Sequence, residues 1–345
     1  MAAKVEVIDI KQEAEWIKRL KQVSAYDFYH TFSYHNYYNK EVDKAVLFCF
    51  EEDEYSIYFP LIIRHTGFND YYDVTSVYGY PGPLSSHIEI PKKITLSFST
   101  ALTKYFIQNN IVSAFSRLHP SLKNEVLLDS IGELLSLSET VHIDLSLPTD
   151  SQRKGYRKGV KSDISKLNRE NYLVIEDKEK KYVEEFITIY NENMVRVGAR
   201  EDYFFSKAYY EMIFNSPDIN SKLYFVVKEN IKVAAAIFIF TGKIIQYHLS
   251  ATKEEYLRNS PVRLLIDYVR LYGSQNGYLE LHLGGGVGST EDSLFKFKAG
   301  FSNSRQQFKV WRYIVNPTIY DQLVKMHNPD PNSNYFPLYR APKQD

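Results

Sequence analysis

The sequence predicts an α/β protein with mixed sheets in which one structural unit is written twice. Its 345 residues exceed one ordinary core and suit two domains of roughly 150 residues each. Each half reads helix, antiparallel strands, helix, strand, an order that calls for mixed sheets. In each half the second helix opens at a proline, stops at Asn or Gly, and runs straight into a strand.

In the first half, "YDFYHTFSYHNYYNK" (26–40) has the aromatic periodicity of a helix. "AVLFCFEEDEYSIYFPLII" (45–63) is strand, acidic turn, strand, and a loop rich in Tyr, Gly and Pro follows at 71–86. "PKKITLSFSTALTKYFIQNN" (91–110) is a helix with Ile94, Phe98, Leu102 and Phe106 on one face, and "IVSAFSRLHP" (111–120) is the next strand. In the second half, 182–195 is the leading helix, and "KLYFVVKENIKVAAAIFIF" (222–240) is strand, polar Glu-Asn turn, strand. "GKIIQYHLSA" (242–251) is a third strand, "SPVRLLIDYVRLYGSQNG" (260–277) a helix with Ser260 as N-cap and Pro261 first, and "YLELHLGGG" (278–286) the closing strand. The expected division is 1–152, 153–327 and an extended tail at 328–345.

Composition excludes several classes. Lys plus Arg equals Asp plus Glu at 42 each, so no global field draws in nucleic acid, and any polyanion must be held by a local patch. No apolar run approaches the ~18 residues of a membrane helix. The start is charged from Lys4 and lacks an apolar h-region, which predicts no secretory signal and a cytoplasmic location. The single cysteine, Cys49, excludes a disulfide framework and a cysteine-based zinc site. It sits between phenylalanines mid-strand and reads as core. His30 and His35, five apart, have the wrong spacing for a helical metal pair, so no metal site is expected. His248 and His282 lie in strands, where structural roles outweigh that of a general base.

The segment "LHLGGGVGSTEDSLFKFKAGF" (281–301) carries the chemistry. Gly284, Gly285 and Gly286 match no phosphate loop, because Ser289 interrupts G-x-G-x-x-G and no Lys-Ser/Thr follows at the required spacing. The glycines permit positive φ and bring bare backbone close to a neighbour, either as a flexible turn or as a place where an acceptor approaches. Ser289 and Asp292 form a capping-box pattern that starts a helix at about residue 290, with Leu294, Phe297 and Phe301 on one face and Lys298 beside them.

These residues, "GGG…DSLFKFKAGFS", with "YHLSAT…NSPVRLLI" upstream and "DVTSVYGYPGPLSS" and "FSRLHP" in the first half, resemble the Fem family of non-ribosomal peptidyl transferases. The likeness spans about residues 25–315. It implies two tandem GNAT-like (acyl-CoA N-acyltransferase-like) domains and transfer of an aminoacyl group from aminoacyl-tRNA to an amine of a cell-envelope precursor such as a peptidoglycan peptide. It implies catalytic roles for Lys298, at the activated carbonyl or donor phosphate, and for Tyr247 on the preceding central strand. It further implies a substrate-phosphate role for Arg200, an acceptor-groove role for Tyr78, and substrate contact at Phe297 and the three glycines. Two features depart from relatives: no long helical arm is inserted at 160–200, and "KEEYLRNSP" (253–261) lacks the glycine turn that binds the pyrophosphate of CoA. No tightly bound cofactor is expected, and the partners implied are charged tRNA and a lipid- or nucleotide-linked precursor.

One basic stretch, "RKGYRKGVKSDISKLNR" (153–169), supplies local charge. If it is helical, Lys154, Arg157, Lys158 and Lys161 share a face and, with Arg153, grip phosphate or tRNA; as a linker it is merely solvated. Two other functions stay open: an N-acyltransferase using acyl-CoA or an acyl carrier protein on an amino sugar, and a catalytically silent tandem domain binding glycan or RNA.

Overall fold

The structure, a computed structural model, describes residues 3–342. One compact unit reaches to Leu137 and takes in the chain from Gln307 onward; the other is Ser138–Gln306. The first contains β1 (Lys4–Asp9), α1 (Glu13–Leu20), α2 (Phe32–Tyr38), β2 (Asp43–Glu52), β3 (Tyr55–His65), β4 (Tyr72–Thr75), β5 (Leu84–Ser85), α3 (Lys92–Gln108) and β6 (Ile111–Arg117). After β7 (Glu133–Asp144) come α4 (Thr149–Lys154), α5 (Lys158–Arg169), β8 (Leu173–Glu176), α6 (Val183–Arg196) and α7 (Lys207–Asn215). The second unit continues with β9 (Asn220–Lys228), β10 (Ile231–Thr241), β11 (Ile244–Thr252), α8 (Val262–Gln275), β12 (Glu280–Gly284) and α9 (Ser293–Lys298). β13 (Arg305–Ile314) and α10 (Pro317–His327) return the chain to the first unit.

The two units have the same sheet. In the first the order is β1-β2-β3-β4-β6-β13, antiparallel throughout except for the parallel pair β4/β6. In the second it is β8-β9-β10-β11-β12-β7, again antiparallel except for β11/β12. The sixth strand is exchanged. β7 follows β6 in sequence yet pairs with β12, and β13 follows β12 yet pairs with β6. This exchange is why the units part near residues 137 and 306, whereas sequence order alone puts the boundary at 152/153 and keeps 307–327 in the second domain.

Local chemistry accounts for most elements. Ile94, Phe98, Leu102 and Phe106 of α3 are all buried, packed with Phe48, Phe50, Phe59 and Trp311 in the first unit's core. Glu229 and Asn230 both take positive φ, the two-residue hairpin turn whose twist matches its flanking strands. Over 26–40 the helix is interrupted: Asp27 caps a short 3-10 turn, Phe28–His30, and the α-helix starts only at Phe32. Ser260 is not the N-cap of α8; it sits at φ 50°, closing the preceding turn, and Pro261 takes the cap position. The segment 71–86, read as loop, holds two short strands, β4 and β5.

The tail is a strap on the first unit. Tyr320 Oη accepts the Leu338 amide at 2.9 Å, and buried Tyr339 shares a 2.8 Å hydrogen bond with Ser113 Oγ. Among the described residues no helix is long and apolar enough to cross a membrane.

Candidate functional site

The second unit's central strands stop pairing partway along. The parallel ladder joins Ile244, Ile245 and Gln246 to Glu280, Leu281 and His282, then ends, although β11 runs on to Thr252 and β12 to Gly284. On its other side β11 carries a bulge: Phe238 of β10 faces Tyr247 and Ile237 faces Leu249, so His248 is the extra residue. Bulges turn a strand and take backbone groups out of the ladder. The open stretch of β11 beyond Gln246 is thus a backbone surface in the middle of a rigid sheet.

A tight loop closes the end of β12. Gly284 takes φ 79° at a register shift against β7, where only glycine sits without strain. A Cβ on Gly286 would lie 2.1 Å from the Thr290 carbonyl oxygen and 2.4 Å from Asp292 Oδ1. Asp292 organises this turn: Oδ1 accepts the Phe295 amide at 2.8 Å, capping α9, and Oδ2 accepts the Val287 amide at 3.2 Å. The helix therefore begins at Ser293 with Asp292 as its cap, three residues later than the spacing predicts. The loop's own fold therefore calls for glycine at 284, by its φ, and at 286, by the close approach of Thr290 and Asp292.

Lys298 ends α9 and is 9% exposed. Its Nζ donates to the Gly285 carbonyl at 2.7 Å, tying the helix to the glycine loop. Burial pushes the ammonium down to about 8 against the opposing pull of Asp292. An ammonium has three N–H donors, so two remain to serve another acceptor. The buried side of α9 is Phe295 and Lys298, with Phe301 in the core just beyond it; Leu294, expected inside, is exposed. Phe297 is partly buried and lies 5.9 Å from the Arg263 guanidinium, which is ion-paired to Asp163.

Tyr247 packs on Phe238 and on the second unit's core, and its hydroxyl is hydrogen-bonded to Ser250. Burial raises the phenol well above its ordinary value, so the Tyr247 hydroxyl stays protonated at neutral pH. The strand histidines are engaged: His248 Nε2 meets Tyr209 Oη at 2.6 Å, and His282 Nδ1 meets Gln246 Oε1 at 2.8 Å. Sequence reasoning missed these partners: Gln246 meets His282 through strand register, Tyr209 comes from α7, and Ser250 lies three residues from Tyr247 on β11 itself.

The remaining expected residues lie elsewhere. Arg200 starts a 3-10 turn on the surface, 77% exposed and paired at 3.2 Å with Asp202; no contact of Lys298 or Tyr247 involves it. Tyr78 belongs to the first unit and is exposed. The basic stretch is two helices and not one. Buried Tyr156 hydrogen-bonds Asp267 at 3.0 Å and pulls the chain inward between α4 and α5, so Arg157 becomes the N-cap of α5. The single face proposed for Lys154, Arg157, Lys158 and Lys161 is therefore broken. Lys161 Nζ nonetheless donates to Lys154 O at 3.1 Å, and the Arg157 amide donates to Gly300 O at 2.8 Å, just after α9. Among the described residues none of Arg153, Lys154, Arg157, Lys158 and Lys161 forms an ion pair within 4 Å. Partly buried Arg305 has its basicity lowered by burial and, secondarily, by Arg157 against the pull of Glu139.

The turn before α8 does not fit the pyrophosphate of CoA. It contains no glycine, and the Arg263 and Leu264 amides donate inward to Ser260 and Pro261 at 3.1 and 2.9 Å. Among the described residues no group of three or more His, Cys, Asp or Glu is placed to hold a metal.

Neither a protein-family model nor a curated protein sequence matches the chain. Solved structures match its fold. FemX is similar with a TM-score of 0.68 at 11% identity, over 92% of this chain and 99% of that one. L-PGS from Bacillus licheniformis is similar with a TM-score of 0.56 at 14% identity, over 91% and 95%. The C-terminal domain of a candidate lysylphosphatidylglycerol synthetase from Agrobacterium fabrum matches with a TM-score of 0.56 at 12% identity, over 91% and 97%. The fold is thus similar to that of FemX, with the same mixed sheet built in each of two units, as the sequence resemblance implies.

Proposed function

We propose that the protein is an aminoacyl transferase that forms an amide on an amine of a cell-envelope precursor. The observation that carries this is the early end of the β11/β12 ladder beside a buried lysine of lowered basicity. The amine nitrogen attacks the ester carbonyl of an aminoacyl-tRNA, the amide C–N bond forms, the ester C–O bond breaks, and the amine proton ends on the departing ribose oxygen. Negative charge develops on the carbonyl oxygen, where β11 amides beyond the end of the β12 ladder and the remaining N–H groups of Lys298 would receive it. Fixed donors of this kind act without reorganising, which is where most of the rate would come from. Tyr247 packs beside this strand as a neutral donor. Arg200, Tyr78 and Phe297 are substrate contacts on the strength of the family resemblance alone, and the basic stretch is the proposed hold on tRNA phosphate.

Support for aminoacyl-tRNA over acyl-CoA comes from the glycine-free turn before α8. Calorimetry with acetyl-CoA should give a Kd weaker than ~10 μM, or less than about 7 kcal/mol of binding. Tighter binding would move the donor to acyl-CoA. The direct test is radiolabelled aminoacyl-tRNA incubated with amine-bearing envelope precursors. Label should pass into an alkali-stable amide; label that stays in the alkali-labile ester fraction refutes the reading.

A further inference from the structure

The first unit has five arginines. Arg19, Arg64 and Arg340 each hold a carboxylate. Arg117 and Arg312 form no ion pair within 4 Å among the described residues. Both are only partly exposed, and Arg312 Nε is buried with no hydrogen-bond acceptor. Leaving a group such as the Arg312 Nε unpaired away from water is costly, and a second cation without an ion pair beside it calls for an explanation.

The two arginines share a face of neighbouring strands. Arg312 of β13 stands directly across from Phe115 of β6, and Arg117 is two residues along β6 from Phe115. The Arg117 guanidinium lies 5.4 Å from the Phe115 ring and 5.7 Å from the exposed Tyr78 ring. Phe115 is 6.3 Å from Phe336, which in turn lies 5.5 Å from the Arg312 guanidinium. Tyr78, Arg117, Phe115, Phe336 and Arg312 thus form a row of rings and cations, with the pair Phe115–Phe336 between the two arginines. Backbone bonds hold it in place: the Arg117 amide donates to Ser76 Oγ at 3.2 Å, and an Arg312 Nη2–H donates to Asn334 O at 3.0 Å. Rings fix the planes of the guanidiniums while leaving their N–H edges to a ligand.

We propose that this row is an anion-binding site of the first unit, taking the phosphate or carboxylate groups of a small molecule, with Arg117 and Arg312 as its two cations. Guanidinium forks match both oxyanions, so the chemistry shared by the two is what the site recognises. This goes beyond the transfer reaction: Tyr78 is shared with the acceptor groove that the resemblance implies, but the two cations have no part in the transfer step, and the site is read by binding and not by turnover.

Calorimetry of the full-length protein with inorganic pyrophosphate in one arm and glutarate in the other tests it, alongside NMR of the arginine Nε–Hε signals. At least one arm should saturate below 1 mM and shift two arginine signals, those lost in Arg117→Gln and Arg312→Gln. Each substitution should weaken binding by roughly ten- to hundredfold, the usual worth of a charge-assisted hydrogen bond. Arg117→Lys, which keeps the charge but loses the fork, should be intermediate and guards against a folding failure of the Gln variants. Saturation by pyrophosphate alone assigns a phosphorylated ligand, and saturation by glutarate alone a carboxylated one. Failure of both arms to saturate, or an affinity unchanged in folded Arg117→Gln and Arg312→Gln, overturns the site. Lys298→Met, which should lower the transfer rate by about 10²–10³, should leave this binding intact, so the two proposals fail separately.

Discussion

Lys298→Met separates chemistry from folding. The side chain keeps its length and apolar stem and loses its charge. Burial lowers the ammonium from 10.5 to about 8, so holding it charged at neutral pH costs about 3 kcal/mol at 1.36 kcal/mol per pH unit. Methionine relieves that cost but leaves the Gly285 carbonyl without its 2.7 Å donor, a loss of about 1–3 kcal/mol. The two effects oppose each other, and net stability near pH 7 should change by no more than about 2 kcal/mol. The pH dependence has a definite sign. The folded value lies below the unfolded one, so the cost is full below about pH 8 and fades as pH rises from about 8 to 10.5. Wild type should therefore gain stability relative to Lys298→Met across that window. For activity, loss of a cation that stabilises transition-state charge should lower kcat by about 10²–10³ while KM moves little. The wild-type kcat should also fall as pH rises through about 8, a limb absent from the variant. Exposed Lys296 on the same helix is the control. Steady-state transfer kinetics and denaturant melts from pH 7 to 10.5 supply both readouts. Equal damage from Lys296→Met, or full activity in Lys298→Met, refutes the assignment.

Gly286→Ala should disturb the loop, because its Cβ falls on Thr290 and Asp292, whereas Gly288→Ala meets open space and only its positive φ; a larger melting-temperature loss at 288 than at 286 would contradict this. Buried His30 and His35 are held down to about 3 and about 4, chiefly by burial, so the unfolded chain binds protons first as pH falls below 6.5. Stability should drop by about 2–3 kcal/mol per histidine by about pH 4.5, seen as a falling urea midpoint that flattens in His35→Gln. Arg157→Glu with Lys161→Glu should weaken tRNA binding and reduce the slope of log affinity against log salt, and an unchanged slope returns the stretch to a solvated connection.

Periodicity made the fold legible where one element carried its own signal. The α3 face and the Glu229-Asn230 turn were readable because their cues lie within a few residues. β4 was not, since four residues between Tyr, Gly and Pro look like loop, and its strand character comes from β3 and β6 on either side. The exchange of β7 and β13 has no local signal at all; it is a choice of partner, and it moved the unit boundary. The site divides the same way. Lys298 and the glycines were singled out by a contiguous segment that resembles a family's, whereas the loop folded on Asp292 depends on contacts that no local pattern encodes. The Arg117–Arg312 row joins residues 195 positions apart across a strand pair, which sequence spacing does not reveal.

The central claim is transfer of an aminoacyl group to an amine, and the most direct measurement is mass spectrometry of acceptor products. Purified protein would be incubated separately with charged tRNA and with acetyl-CoA, each with amine-bearing envelope nucleotide-sugars and peptides. The account predicts an acceptor heavier by one amino-acid residue with charged tRNA, no acetylated product, and loss of the new species in Lys298→Met but not in Lys296→Met. An acetylated acceptor, or a product formed equally well by Lys298→Met, would contradict it.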